Sequence, residues 1–312
     1  MTKVIAVDSG KYATKSVYRD GKGNILRASY RTKMDPTNEI KSTDRNSFVV
    51  QFEGKSYLIG QEAETINFDK SKALLIHKLA TYASICRYVD DGESVILAVG
   101  CPLSIFQNVE ERHRYQAFMG KDKDVRILLN GEERYFTLEK VIVCPESSGI
   151  IYQRVSDFKQ RLVGIVDIGG LNTNCCVYHN LTPIKSTSFT TNLGANILTN
   201  ELKQLLNSNF PDANLQDWQM EDIIKKGFIK SNRAESEQII KNFLQTHIRN
   251  VINEMTKKGW DVKNIDLIFV GGGSKLLESE IKQLIEDADI SSNAEWDNVE
   301  GFLKLGLANA KK

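Results

Sequence analysis

The apolar positions fall into short β-type runs and longer helical stripes, and one arrangement of them occurs twice. Near the N-terminus, Val4-Ile5-Ala6-Val7 runs into Asp8-Ser9-Gly10 and returns through Lys15 to Val17-Tyr18. In mid-chain, Gly164-Ile165-Val166 runs into Asp167-Ile168-Gly169-Gly170 and returns to Val177-Tyr178. Each copy predicts a strand, a tight glycine-containing turn and an antiparallel return strand, with a carboxylate at the tip. A third strand is expected after each hairpin, over 24–29 in the first copy and 183–190 in the second.

Beyond the hairpins the period of the pattern alternates. Residues 30–46 are polar and irregular, and strands at 47–52 and 56–59 flank the turn at Glu53-Gly54-Lys55. Leu74, Leu75, Leu79, Tyr82, Ile85 and Cys86 share one face of a helix over 71–89, and 95–99 is a continuous apolar run of the buried parallel type. A helix is expected over 105–119, after Pro102. Strands at 125–129 and 135–143 flank Asn130-Gly131, the strongest hairpin signal in the chain. In the second half, helices are predicted at 194–206, 218–228, 235–255, 276–285 and 300–310, with a buried strand at 265–270. Strands in a meander followed by helices alternating with single strands describe an α/β domain, used twice. The expected division is 1–157, carrying a small insertion over about 30–68, and 158–312, carrying insertion helices over about 207–259. The closing helix, about 298–310, is expected to return to the first domain.

Composition narrows the classes. The 312 residues are 41% apolar and 26% charged, as in soluble globular proteins. A net charge of +1 provides no broad basic field, so no direct nucleic-acid contact is predicted. No apolar run approaches the roughly 18–20 residues of a membrane helix, and Val4–Val7 is too short for a signal-peptide core. The five cysteines contain no Cys-x-x-Cys pair and read as buried thiols; the four histidines lack metal-ligand spacing.

The chemistry-bearing residues cluster at turns. Asp8-Ser9-Gly10 offers backbone amides to a phosphate, and Lys15 points back at the same place from the return strand. Gly10-Lys11 is not a P-loop, because its turn feeds a strand rather than a helix. Asp167-Ile168-Gly169-Gly170 is the same device. A carboxylate facing a nucleotide phosphate directly would be repelled, so the two acids imply Mg²⁺ and its retained waters in between. Gly271-Gly272-Gly273-Ser274 joins a strand to a helix and permits close ligand approach. It is not the dinucleotide fingerprint, since Leu276 stands where the last glycine is required. Glu146 lies at a strand–helix junction, where it either orients a water for attack on a terminal phosphate or supports a helix dipole.

Taken in order, Asp8-Ser9-Gly10 with Lys15, Pro145-Glu146-Ser147, Asp167-Ile168-Gly169-Gly170, Gly271-Gly272-Gly273 and Asn298-Val299-Glu300-Gly301-Phe302 resemble a known set. They look like the phosphate-1, connect-1, phosphate-2, adenosine and connect-2 motifs of the actin / heat-shock chaperone / sugar kinase superfamily. Val143-Cys144-Pro145-Glu146-Ser147 and the Asn-x-x-Gly-Phe ending are most similar to ParM (StbA) type bacterial actin-like plasmid-segregation ATPases. The resemblance implies an actin-like (ribonuclease H-like) α/β fold, two similar domains flanking a nucleotide cleft. It implies hydrolysis of ATP, with GTP as a second nucleotide, coupled to self-assembly into filaments. It further implies plasmid segregation in the bacterial cytoplasm, through a ParR-type DNA-binding adaptor bound to a centromere.

Residue by residue, the resemblance gives Asp8 and Asp167 to Mg²⁺ through water. It gives Ser9, Gly10, Lys11, Gly169, Gly170 and Asn172 to the phosphates, and Lys15 to the β/γ-phosphates. Glu146 would position the hydrolytic water. Gly271, Gly272, Gly273 and Ser274 would line the adenosine pocket, and Lys225 would approach the base or ribose. The family usually has Asp-x-Gly-Gly-Thr-Thr at phosphate-2. Leu171-Asn172 replaces those threonines here, leaving Asn172 or Thr173 to supply the lost contact. The alternative, a small-molecule (sugar-type) kinase of the same superfamily, needs a further Asp as base on a substrate hydroxyl.

Overall fold

The computed structural model describes residues 2–67, 69 and 71–310. Phe68, which closes the expected insertion, and Lys311 and Lys312 at the expected end of the second domain lie outside the described residues. The chain divides into two compact units, Met1–Gln153 with Asn298–Lys312, and Arg154–Asp297.

The first unit is built on a single sheet. Its strands are β1 (Lys3–Ser9), β2 (Ala13–Arg19), β3 (Ile25–Arg31), β4 (Met34–Pro36), β5 (Ser47–Phe52), β6 (Lys55–Gly60), β7 (Ser94–Cys101), β8 (Asp124–Leu129) and β9 (Glu132–Pro145). Among the described residues these nine lie in the order β3-β2-β1-β7-β9-β8-β5-β6-β4. β1 is antiparallel to β2 and parallel to β7, which is parallel to β9. Strands paired on both sides and covered by helices are apolar throughout, and Val4 to Val7 are all buried. The helix Leu75–Ile85 is buried at every position after its first. It packs Leu79, Tyr82 and Ile85 into one core with Ile5, Val7, Leu97 and Phe136. At the β8–β9 turn Asn130 and Gly131 take φ values of 52° and 81°, the paired left-handed conformation of a tight hairpin turn.

The second unit holds β10 (Leu162–Ile168), β11 (Thr173–His179), β12 (Thr182–Pro183), β13 (Phe189–Thr191), β14 (Asp266–Val270) and β15 (Asp289–Ile290). They are ordered β12-β11-β10-β14-β15, with β13 also on β11. The helices Ala195–Asn209, Asp217–Lys226 and Arg233–Lys257 bury Leu198, Leu202, Met220, Leu244 and Ile248 in one core with Val166, Phe269 and Trp260.

Four expectations are corrected. The strand over 183–190 is absent: after β12 the chain makes a 3₁₀ turn at Lys185–Thr187 before β13. Thr187 Oγ1 accepts from the Val177 amide at 3.0 Å and donates to the Ile184 carbonyl at 2.7 Å, so a side chain takes a ladder position. The helix over 105–119 is two helices, Leu103–Gln107 and Val109–Met119, because Asn108 caps the second. The helix expected over 276–285 begins at Gly272 and is divided at Leu277 into Gly272–Leu276 and Glu278–Leu284. Within the polar stretch 30–46, β4 pairs with β6 from Met34↔Ile59 to Pro36↔Tyr57. The β5–β6 hairpin joins the main sheet through β5 and β8.

Candidate functional site

In the first unit the apolar run of β1 delivers Asp8 to the end of a central strand, and the antiparallel register sets Asp8 opposite Lys15 on β2. Gly10 is required in the turn that follows, since a Cβ there would stand 2.8 Å from the Ala13 carbonyl oxygen. β7 runs parallel beside β1 and hands over to β9, which ends at Pro145. Glu146 therefore emerges at the same edge of the sheet as Asp8, on the far side of β7, and its amide donates to the Cys101 carbonyl at 2.8 Å. Ser147 then takes φ 65° as the chain turns into the helix Gly149–Gln153.

Two lysines of this unit are buried, Lys72 at this end of the sheet and Lys78 on the helix behind it, and the resemblance flagged neither. Lys72 Nζ donates to the Ser9 carbonyl at 2.7 Å and pairs with Glu146 Oε1 at 2.9 Å. Lys78 Nζ pairs with Asp122 Oδ2 at 2.8 Å. Burial works against the Lys72 charge, but the carboxylates of Glu146 and Asp8 outweigh it and hold the ammonium above its ordinary value. For Asp8, burial and then the Glu146 carboxylate raise the carboxyl to about 6, while Lys72 and Lys15 pull it down. One buried oxygen of Asp8, Oδ1, has no hydrogen-bond partner among the described residues. A buried acceptor in that condition is costly and marks a place where a polar ligand belongs.

Behind the turn runs a chain of buried polar side chains. Ser9 Oγ is 3.0 Å from His77 Nδ1 and 3.3 Å from Thr14 Oγ1, which is 2.9 Å from Thr32 Oγ1. Burial, with Lys72 and Lys11 nearby, lowers the His77 pKa to about 3, so the ring is neutral. Ser9 is itself buried, so it faces this network as well as the turn.

In the second unit the matching hairpin pairs Asp167 with Asn174, and the turn closes with the Gly169 amide on the Asn172 carbonyl at 2.9 Å. The Gly169 and Gly170 carbonyls accept from the amides of Ala195 and Asn196 at 2.9 and 2.7 Å, which fastens the turn to the start of the helix Ala195–Asn209. Thr173 Oγ1 is buried and donates to the Leu193 carbonyl at 2.6 Å, so its hydroxyl proton is already engaged within the unit. β14 runs parallel to β10 with Val270 beside Asp167, which brings the triple-glycine turn to the same sheet end. Gly271 has φ 85°, and a Cβ there would fall 2.5 Å from Asp167 Oδ1. Gly272, Gly273 and Ser274 make the first turn of the following helix. The Ser274 hydroxyl is turned inward, donating to the Val270 carbonyl at 2.5 Å. Lys225 is exposed on its helix and paired with Glu221 at 2.6 Å.

Each unit thus gathers its own candidates: Asp8, Ser9, Gly10, Lys15 and Glu146 in the first, Asp167, Gly169, Gly170 and Gly271 to Ser274 in the second. Lys72, His77 and Thr14 were missed. The available signal was a lysine at position 72 in helical register with the buried Ile76, Leu79 and Ala83. Among the described residues no three His, Cys, Asp or Glu side chains converge to hold a metal by themselves. A cation held through its own waters and phosphate oxygens calls for acceptors rather than a protein cage. The orphaned Asp8 oxygen is an acceptor of the kind such a hydration shell needs. All five cysteines are buried and free. Among the described residues no helix is long and apolar enough to cross a membrane.

Comparison with known proteins bears on both units. Residues 6–149 match the model described as "Actin like proteins N terminal domain", and residues 165–283 match "Archaeal actin homologue MreB-like, C-terminal". No curated protein matches the sequence. Among solved structures, the Alp12 filament is 25% identical with a TM-score of 0.74, covering 99% of each chain. A 15-stranded ParM filament from Clostridium botulinum is 18% identical with a TM-score of 0.76, covering 99% of this chain and 100% of the other. An archaeal actin homologue in complex with ADP is 16% identical with a TM-score of 0.77, covering 98% and 99%. The fold is that of actin homologues, and with both its halves matching models of such proteins, this chain belongs to the actin-like family.

Proposed function

We propose that this chain is a filament-forming ATPase of the ParM type. In this reading the phosphates of ATP lie on the amides of Ser9, Gly10, Lys11, Gly169 and Gly170, with Lys15 and Asn172 contacting them by side chain. Asp8 and Asp167 hold the hydration shell of Mg²⁺, which when bound neutralises phosphate charge. Glu146 accepts a hydrogen bond from the attacking water and orients it toward the γ-phosphate. Gly271, Gly272 and Gly273 allow the adenosine to approach the backbone, with the Ser274 and Lys225 side chains turned to other partners. GTP would fit the phosphate sites equally, because none of those contacts reads the base.

The observation that carries the reading is the buried Asp8 oxygen without a protein partner, on a strand end set opposite Lys15 and beside Glu146. Filament formation is supported by the likeness, over nearly the whole chain, to the Alp12 filament. Contacts of the γ-phosphate made before hydrolysis and lost after it would bias two states of the protein, one favouring assembly. Self-association is then the primary partnership. Plasmid segregation through a ParR-type adaptor on a centromere is the cellular role we assign to it.

The test is pelleting and electron microscopy of the purified protein with and without Mg²⁺-ATP. Nucleotide-dependent filaments are expected. No assembly with ATP, GTP or slowly hydrolysed analogues at high protein concentration would overturn the proposal. Glu146→Gln should bind nucleotide and assemble but hydrolyse about 10²-fold more slowly, so that its filaments persist after wild-type filaments have disassembled.

A further inference from the structure

Lys72 lies outside the family motifs. It is carried by the segment leading into the helix Leu75–Ile85, and only 3% of its side chain is exposed. A buried ammonium is tolerated when its hydrogen bonds are made and its charge is matched. Here the Ser9 carbonyl accepts the hydrogen bond at 2.7 Å, and the Glu146 carboxylate matches the charge through Oε1 at 2.9 Å. One side chain therefore ties the residue after Asp8 to the residue after β9. The Glu146 backbone is already fixed by its amide on the Cys101 carbonyl. What stays adjustable is the carboxylate plane, and Lys72 takes hold of one of its two oxygens.

We propose that Lys72 is a positioning residue for hydrolysis. By holding Oε1 of Glu146 it aims Oε2 at the attacking water, and by placing a cation between Glu146 and Asp8 it lets two carboxylates occupy strand ends on either side of β7 without mutual repulsion. The same ammonium, through the Ser9 carbonyl, sets the phosphate turn and the water-orienting carboxylate in fixed register. This rests on the role given to Glu146 above.

A double-mutant cycle on nucleotide affinity and single-turnover ATP hydrolysis tests it, with wild type, Lys72→Met, Glu146→Gln and the double variant. Lys72→Met should keep ATP affinity within about threefold and slow hydrolysis about tenfold or more. In the double variant the lysine change should cost nothing further, because it acts through the glutamate. Wild-type hydrolysis by Lys72→Met overturns the inference, as do rate losses that multiply in the double variant. So does an affinity loss equal to the rate loss, which would make Lys72 part of nucleotide binding alone. Should Lys72→Met fail to fold, Lys72→Gln keeps an amide donor and faces the same outcomes. Normal hydrolysis by Glu146→Gln alone defeats the underlying reading of Glu146, whatever Lys72 does, so the two failures are separable.

Discussion

His77 is held neutral beneath the phosphate turn, with Nδ1 on Ser9 Oγ and the Lys72 and Lys11 charges nearby. Its pKa falls from 6.5 to about 3 on folding, chiefly through burial. Between those values the unfolded chain binds a proton that the folded chain does not. The resulting stability is therefore full above 6.5 and is lost as the pH falls toward 3. Wild type should lose about 2 kcal/mol from this group between about pH 7.5 and about pH 5. Urea unfolding of wild type and His77→Asn at both pH values measures this: the variant should show a correspondingly smaller loss, and equal losses would refute it. Two pairs of residues at this site also show what a sequence reveals. The placing of Asp8 opposite Lys15 was legible because the register of a tight hairpin follows from its turn. Lys72 and His77 were not, because helical register places them beside buried apolar positions without saying which polar groups meet them there. Those partners, Glu146 and Ser9, are remote in the sequence.

At the scale of elements, hairpins were the most legible features, since register follows from the turn. Asn130-Gly131 and the two Asp-tipped turns close as their residues dictate. The third strand of the second meander was not legible, because a threonine hydroxyl at Thr187 satisfies an amide that pattern alone would assign to a strand. The split of 103–119 follows similarly from one side chain. Asn108 Oδ1 accepts from the amides of Glu110 and Glu111 at 3.1 and 3.2 Å, and those two acids sit in the first turn, where a helix favours negative charge. The helix Val109–Met119 has Tyr115 and Met119 as its buried residues, so end effects weigh heavily in it. Asn108→Ala should cost about 1 kcal/mol, read as a lower urea midpoint and faster amide exchange in that helix. Unchanged exchange there would show that the cap is not what holds it.

For the whole molecule, the repeat of strand, acid and glycine in the sequence predicts two related halves. Local pattern does not reveal which side chains the last helix meets. Residues from Asn298 onward count with the first unit, burying Val299, Phe302 and Leu303. Phe302 occupies the space that a side chain at position 100 would need, 2.6 Å from a Cβ there. Gly301 lies against Gly149 so closely that a Cβ would stand 2.2 Å from its carbonyl oxygen. Gly301→Ala should therefore destabilise the first unit by about 1–3 kcal/mol, as overpacking does. Hydrogen exchange resolved by segment checks this: β1 and β7 should lose protection while β10 and β14 keep theirs, and uniform loss in both units would contradict it.

That return of the chain also orders events during synthesis. The second unit is one uninterrupted stretch, whereas the first lacks Val299, Phe302 and Leu303 until the whole of the second has been made. The half made first is therefore the half finished last. While the ribosome works through 154–297, the seat of the closing helix stands open, with Gly100 and Gly149 exposed where a wrong apolar segment can settle.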